Sequence, residues 1–185
     1  MIQKQWWEIV YEGLLTALIG GEVSPGDPFK AKVAIIPLPH FGTIPHAPVG
    51  VLETRELKHC EPELQRRYAL VKAYFELETG RHLFETCTWR SEGRQQQLFR
   101  QGRSEPGQIV TNIDGINSRS RHNFYPSQAV DVCVDSDPGP GKVAVWDNAA
   151  YAPLGPLCEK HGLVWGGNFK RLIDSPHLEL PADWS

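Results

Sequence analysis

The stretch that most restricts what this chain can become runs from Gln128 to Val134. Its side chains alternate, so Val130, Val132 and Val134 point one way while Ala129, Asp131 and Cys133 point the other. Such a run is a strand with its valine face in a core, and it obliges the fold to hold a sheet whose second face displays a carboxylate. Asp137-Pro138-Gly139-Pro140-Gly141 then reads as a turn, with Val143 to Trp146 returning from it. Leu83 to Trp89, Leu163 to Trp165 and His177 to Leu180 supply further strands, and Val33 to Ile36 a short one. Helices stand beside them. Residues 61–79 place Leu64, Tyr68, Val71 and Phe75 on one stripe, with Pro62 in the first turn and Gly80 as the stop. Ser91 can cap a helix through Gln95, Leu98 and Phe99 to Gln101. Residues 149–160 form a helix broken or started by its prolines and ended at Gly162, and residues 5–19 carry the stripe Trp7, Tyr11, Leu14, Leu18 before Gly20-Gly21. The mixture predicts an α+β domain, a small mostly antiparallel sheet with flanking helices.

Composition removes several classes of function. The 185 residues suffice for one domain with a real core, made loop-rich by 17 glycines and 15 prolines. A net charge of −3 and a pI near 6.2 lack the basic field that holds nucleic acid. Cys60, Cys87, Cys133 and Cys158 form no C-x-x-C pair, so free thiols are expected rather than a zinc ribbon or redox motif. The uncharged run Gly13 to Gly21 is too short for a membrane span and wrong for a secretory signal. Action outside the cytoplasm would therefore need another route.

Histidines and acids gather in two places. One is Ser120-Arg121-His122 leading to Asp131, the other Asp174-Ser175-Pro176-His177-Leu178-Glu179. Two imidazoles and a carboxylate make a coherent zinc set, because three protein ligands leave the fourth tetrahedral position open, as catalysis requires. Zinc lowers the pKa of bound water toward ~7, and an unliganded acid beside it can take the proton; Asp174 is placed for that. Pro176 keeps the chain extended, and alternation sends His177 and Glu179 to one face with Leu178 and Leu180 opposite. Glu179 is either a partner for a histidine or a rival base. Cys133 shares the face of Asp131 as a candidate ligand or a small buried apolar group. Asp114 is an alternative to Asp131, and Asp135 falls in the turn as a solvated acid.

The ordered set goes further. Thr88-Trp89-Arg90-Ser91, then Gln95, Leu98, Phe99 and Gln101-Gly102-Arg103, Val110-Thr111, Ser120-x-His122, Ala129-x-Asp131, Trp165-Gly166-Gly167 and Asp174-x-Pro176-His177 occur in sequence. Over roughly residues 55–180 this resembles the zinc peptidases of the D-alanyl-D-alanine carboxypeptidase and L-alanyl-D-glutamate endopeptidase family, which includes VanY-like enzymes and phage endolysins. The resemblance implies their hedgehog/DD-peptidase-like fold and one Zn2+ held by His122, Asp131 and His177, with Asp174 as general base. It implies that Arg90 steadies the developing oxyanion, that Ser120 and Gln95 position the peptide, and that Trp165 with Gly166-Gly167 shapes the cleft wall. Two departures stand out. Eight residues separate His122 from Asp131 where the family usually has six, so 123–128 must bulge. Asn168 and Phe169 stand where relatives often have Asp and Trp.

The resemblance therefore implies a metallopeptidase of bacterial peptidoglycan stem peptides, an L-alanyl-D-glutamate endopeptidase acting as a phage or prophage lysin. Asp rather than Glu at position 174 tilts toward that type. Such a lysin waits in the host cytoplasm until released to the wall, or travels in a virion, where phage particle proteins become partners. The alternatives are a D-Ala-D-Ala type carboxypeptidase, in which Ser120 and Arg121 would hold the terminal carboxylate, and a catalytically silent virion module. Residues 1–54 are expected as an N-terminal extension and 55–185 as the peptidase domain.

Overall fold

The computed structural model describes residues 45–136 and 143–184. The expected helix at 5–19, the strand Val33 to Ile36 and the turn at 137–141 lie outside them. The fold is α+β. In chain order the larger elements are α1 (Pro62–Thr79), β1 (His82–Cys87), α2 (Glu92–Arg100), β2 (Ala129–Asp135), β3 (Ala144–Val145), α3 (Asn148–Tyr151), α4 (Leu154–Lys160), β4 (Val164–Trp165) and β5 (His177–Glu179). Among them run three 3-10 turns, Leu57–His59, Arg121–Asn123 and Gly166–Asn168.

The alternating strand is the centre of the sheet. β2 pairs antiparallel with β1 along one side, and on the other with β5 from Ala129 to Asp131 and with β3 at Val134 and Asp135; β4 closes the order beyond β5. Val130, Val132, Val134, Leu178 and Leu180 are fully buried, and so are Leu64, Tyr68, Val71 and Phe75, the stripe expected of α1. Each such side chain withdrawn from water contributes about 1.5–3 kcal/mol, which is why strand and helix periodicities fix one another. α1 begins at Pro62, whose missing N–H costs nothing in a first turn, and ends where Gly80 turns left-handed at φ 69°. Ser91 caps α2, its hydroxyl accepting from Arg94 N at 3.2 Å.

The helix expected at 149–160 is broken at Pro153 into two short helices, since the ring admits no continuous ladder. Two expectations are corrected. Asp135 is buried rather than solvated, its Oδ1 accepting from Val143 N at 2.8 Å across the hairpin. The second face of β2 is covered too, since Ala129 and Cys133 are as buried as the valines and Asp131 alone stays partly open. Residues 52–54 are bonded to the segment after β1: Thr54 N donates to Trp89 O, Thr88 N to Thr54 O and Ser91 N to Leu52 O, at 2.7–2.8 Å. No helix of the described residues is long and apolar enough to cross a membrane.

Candidate metal centre and cleft

Three adjacent strands and one turn assemble the centre. The registers Cys87↔Asp131 and Asp131↔His177 set these residues in a row across β1, β2 and β5. His122 arrives from outside the sheet on the 3-10 turn Arg121–Asn123. Ser120 caps that turn, its Oγ accepting from His122 N at 3.4 Å, while Asn123 Oδ1 accepts from Ser120 N at 3.0 Å. Arg90 N donates to His122 O at 3.0 Å and Asn123 Nδ2 donates to Arg90 O at 2.9 Å, which stitches the turn to the end of β1. The long interval to Asp131 is taken up outside the centre: Glu61 N donates to Ser127 O and Ser127 N to His59 O, each at 2.8 Å. The two ends of the interval still meet, His122 Nε2 lying 3.0 Å from Asp131 Oδ1.

His122 Nε2, His177 Nδ1 and Asp131 Oδ1 form a triangle with sides of 2.9, 3.0 and 3.2 Å. Their outer atoms reveal what faces inward. His122 Nδ1 lies 2.6 Å from Thr88 O, which can only accept, so that nitrogen carries a proton and in the neutral ring Nε2 points a lone pair at its neighbours. His177 Nε2 lies 3.0 Å from Glu179 Oε2, which assigns its proton likewise and in the neutral ring leaves Nδ1 as the acceptor. Three acceptors converging in a buried place repel unless a cation or proton lies among them. Tetrahedral zinc with bonds of about 2.0–2.1 Å spaces its ligands by roughly 3.3 Å, close to the triangle observed. The donor set fits zinc. Glu179 thus stands as the partner of His177, an outer carboxylate of the kind that orients a liganding imidazole.

Without a metal, protons on the imidazoles supply that positive charge. Burial would lower the His122 and His177 imidazoles, yet Asp131 beside them draws both upward. Burial would raise Asp131, and the two histidines outweigh it and hold that carboxyl well below the usual range. Asp174 moves the other way: burial and the neighbouring Asp131 charge raise it, despite His177, His122 and Arg90. A carboxylate of raised basicity, with an oxygen within 4.8 Å of a carboxylate oxygen of Asp131 and a ring nitrogen of His177, suits proton transfer. The Gly166 carbonyl fixes its backbone, accepting from Asp174 N at 3.0 Å. Gly166 is required there, because a Cβ would lie 2.4 Å from Asp174 O and 2.9 Å from His177 Cβ.

The other sequence candidates take varied places. Arg90 lines the cleft, donating from Nη2 to Asp131 Oδ2 at 3.0 Å and from Nη1 to Gln95 Oε1 at 3.2 Å. Gln95 is fully buried and spends its Nε2 on Thr111 Oγ1 and Ile113 O, so it braces Arg90 and the 111–113 loop. Ser120 touches the cleft while capping the His122 turn. Trp165 packs against the core, and its Nε1 donates to Ser175 O at 2.8 Å, tying down the segment that carries Asp174 and His177. Cys133 lies against β3, its Sγ 3.8 Å from Val145 O, and belongs to neither donor cluster found among the described residues. Asp114 is half-buried and accepts from the Ile116, Asn117 and Ser118 N–H groups of its own loop. Cys87 was not foreseen. Its Sγ lies 3.9 Å from His122 Nδ1, and it joins His122 and Asp131 in a second donor cluster. A register shift between Glu85 and Cys87 puts it opposite Asp131, and no periodicity announces such a bulge.

The triangle opens into a cleft of about 860 Å³ whose walls include Val110, Trp146, Phe169 and Leu172. An α+β domain with a buried His-Asp-His cradle at the base of an open cleft has the architecture of a metallohydrolase. The particular kinship comes from comparison with known proteins. Residues 114–180, which hold His122, Asp131, Asp174 and His177, match the family described as D-alanyl-D-alanine carboxypeptidase. The chain is 31% identical over 101 residues to the peptidoglycan L-alanyl-D-glutamate endopeptidase CwlK of Bacillus subtilis (strain 168), a match covering 50% of this chain and 56% of that protein. Among solved structures it is similar to the Serratia marcescens L-Ala D-Glu endopeptidase ChiX, with a TM-score of 0.49, 26% identity, and coverage of 68% of this chain and 83% of that one. The match thus spans little more than half the length of the curated relative. Over it, this chain is similar to a peptidoglycan endopeptidase, and its residues 114–180 are similar to the family described as D-alanyl-D-alanine carboxypeptidase.

Proposed function

We propose that this chain is a zinc-dependent peptidase of bacterial peptidoglycan, cleaving the stem peptide between L-Ala and D-Glu. The observation that carries the reading is the convergence of three inward-facing acceptors, His122 Nε2, His177 Nδ1 and Asp131 Oδ1, beside the raised carboxyl of Asp174 on the cleft wall. A single zinc held by those three residues would supply a Lewis acid and a water of lowered pKa. Asp174 takes the proton of the attacking water and returns it to the leaving amine. Arg90 holds the outer oxygen of Asp131 and in this reading also meets the negative charge that grows on the scissile carbonyl oxygen. Glu179 keeps the His177 proton on Nε2, and Ser120 keeps His122 in place through the turn it caps. Gln95 and Trp165 act at one remove, through Arg90 and through Ser175.

The likeness to the L-alanyl-D-glutamate endopeptidase CwlK supports the choice of bond. The role as a phage or prophage lysin, stored in the host cytoplasm or carried on a particle, rests on the sequence resemblance alone. The description of the matching family favours a second reading, removal of a terminal D-Ala. Digestion of intact sacculi decides between them. The endopeptidase exposes new N-terminal D-Glu, the carboxypeptidase releases free D-Ala, and a silent virion module releases neither while binding zinc. An Asp174→Ala control identifies the protein's own turnover.

A further inference from the structure

The cleft is lined by Arg90, Arg119, Arg121, Lys170 and Arg171, and the first three are already committed. Arg90 serves Asp131 and Gln95. Arg119 donates to Asn123 O at 3.1 Å, and Arg121 to Gln128 Oε1 at 2.5 Å and Pro181 O at 3.4 Å. Arg121, which the sequence offered with Ser120 as a holder of carboxylate, is therefore spent on the scaffold. Lys170 and Arg171 differ. Both are exposed, and neither side chain has a hydrogen bond or ion pair among the described residues.

Their backbone is nevertheless fixed. Phe169 N and Asp174 N both donate to the carbonyl of Gly166, at 3.1 and 3.0 Å, so one oxygen closes both ends of the loop that bears the two cations. The Phe169 ring lies 5.7 Å from the His177 ring, tying the same loop to the metal cradle. Two cations without a partner among the described residues are thus presented to the cleft on a pinned arch that ends in the proposed base.

We infer that Lys170 and Arg171 form the subsite for a carboxylate on the residue whose amine leaves, and so set specificity for acidic stem peptides. The inference rests on the peptidase reading and adds to it the residues that select the substrate. In the stem peptide D-Glu continues the chain through its side-chain carboxyl, so its α-carboxylate is free beside the scissile nitrogen. In a D-Ala-D-Ala substrate the terminal carboxylate holds the same position, so the subsite serves either bond. Charge-assisted contacts to such a group are stronger than neutral ones, though exposure reduces their worth.

The test uses N-acetyl-L-Ala-γ-D-Glu-L-Lys-D-Ala and its twin with the D-Glu α-carboxylate amidated, given to the wild type and to Lys170→Gln/Arg171→Gln, with kcat and KM measured separately. The wild type should prefer the acid peptide, and the double variant should lose that preference by about tenfold, through KM. Equal losses on both peptides, or an unchanged ratio, would overturn the inference. The same four affinities, measured by titration calorimetry, decide the carboxylate question without turnover. If the wild type binds the acid peptide more tightly yet cleaves neither, the peptidase reading fails while the subsite stands.

Discussion

The floor and the rim of the cleft are built on opposite terms. On the floor nearly every polar atom has a partner: Thr88 O and Glu179 hold the outer nitrogens of the histidines, Arg90 holds Asp131, Gln95 holds Arg90, and Gly166 O holds Asp174. On the rim, Lys170 and Arg171 extend into solvent and Trp146 is 61% exposed. The difference teaches a division of labour. Groups that act on the reacting atoms must be held before substrate arrives, because reorganising them during reaction would raise the barrier, whereas groups that recognise substrate keep their donors free until it comes.

Breaking the floor should have the largest effects. Asp131→Ala removes the carboxylate shared by both imidazoles, and zinc affinity should fall about a thousandfold, with activity following; metal titration of the purified variant checks this. A variant that still binds zinc as tightly would place the metal elsewhere. Gly166→Ala forces a methyl into Asp174 O and His177 Cβ, and should cost about 2–3 kcal/mol in a urea melt while weakening zinc. An unchanged melt would show that this close approach carries no strain. Glu179→Gln keeps the shape but removes the charge that orients His177, which should weaken zinc by about 10–100-fold without unfolding the domain.

The smallest effect lies away from the cleft and gives a baseline for it. His161 stacks on Tyr74 with ring centroids 5.2 Å apart, and burial, with Lys160 and Arg66 nearby, holds its imidazole down at about 4. The unfolded chain accepts that proton near 6.5, so the contribution is complete above that pH and is lost as pH falls through 4. Discounted for its partial exposure, it amounts to about 1 kcal/mol. Between pH 7.5 and 4.5 the urea midpoint of the metal-free protein should fall further for the wild type than for His161→Gln. Equal slopes would remove His161 from the acid response.

What could be read from the sequence follows from range. The stripe of α1 and the alternation of β2 repeat within a few residues, and both cores emerged as their spacing implied. His122, Asp131, Asp174 and His177 could be named because their types and order are chemically restrictive, and the structure brings all four to one place. Cys87 escaped because a bulge on another strand sets its position, and Asp135 because its partner, Val143, lies across the hairpin. Gln95, Ser120 and Trp165 were placed near the site, but which of their bonds face substrate and which face scaffold depends on side chains far off in the chain.

The central claim, that His122, Asp131 and His177 hold a catalytic zinc, is tested most directly by metal content and sacculus digestion on one purified sample beside Asp174→Ala. The account predicts about one zinc in both proteins and new N-terminal D-Glu from the wild type alone. Wild-type protein that takes up no zinc, or an Asp174→Ala variant that cleaves as fast as the wild type, would contradict it.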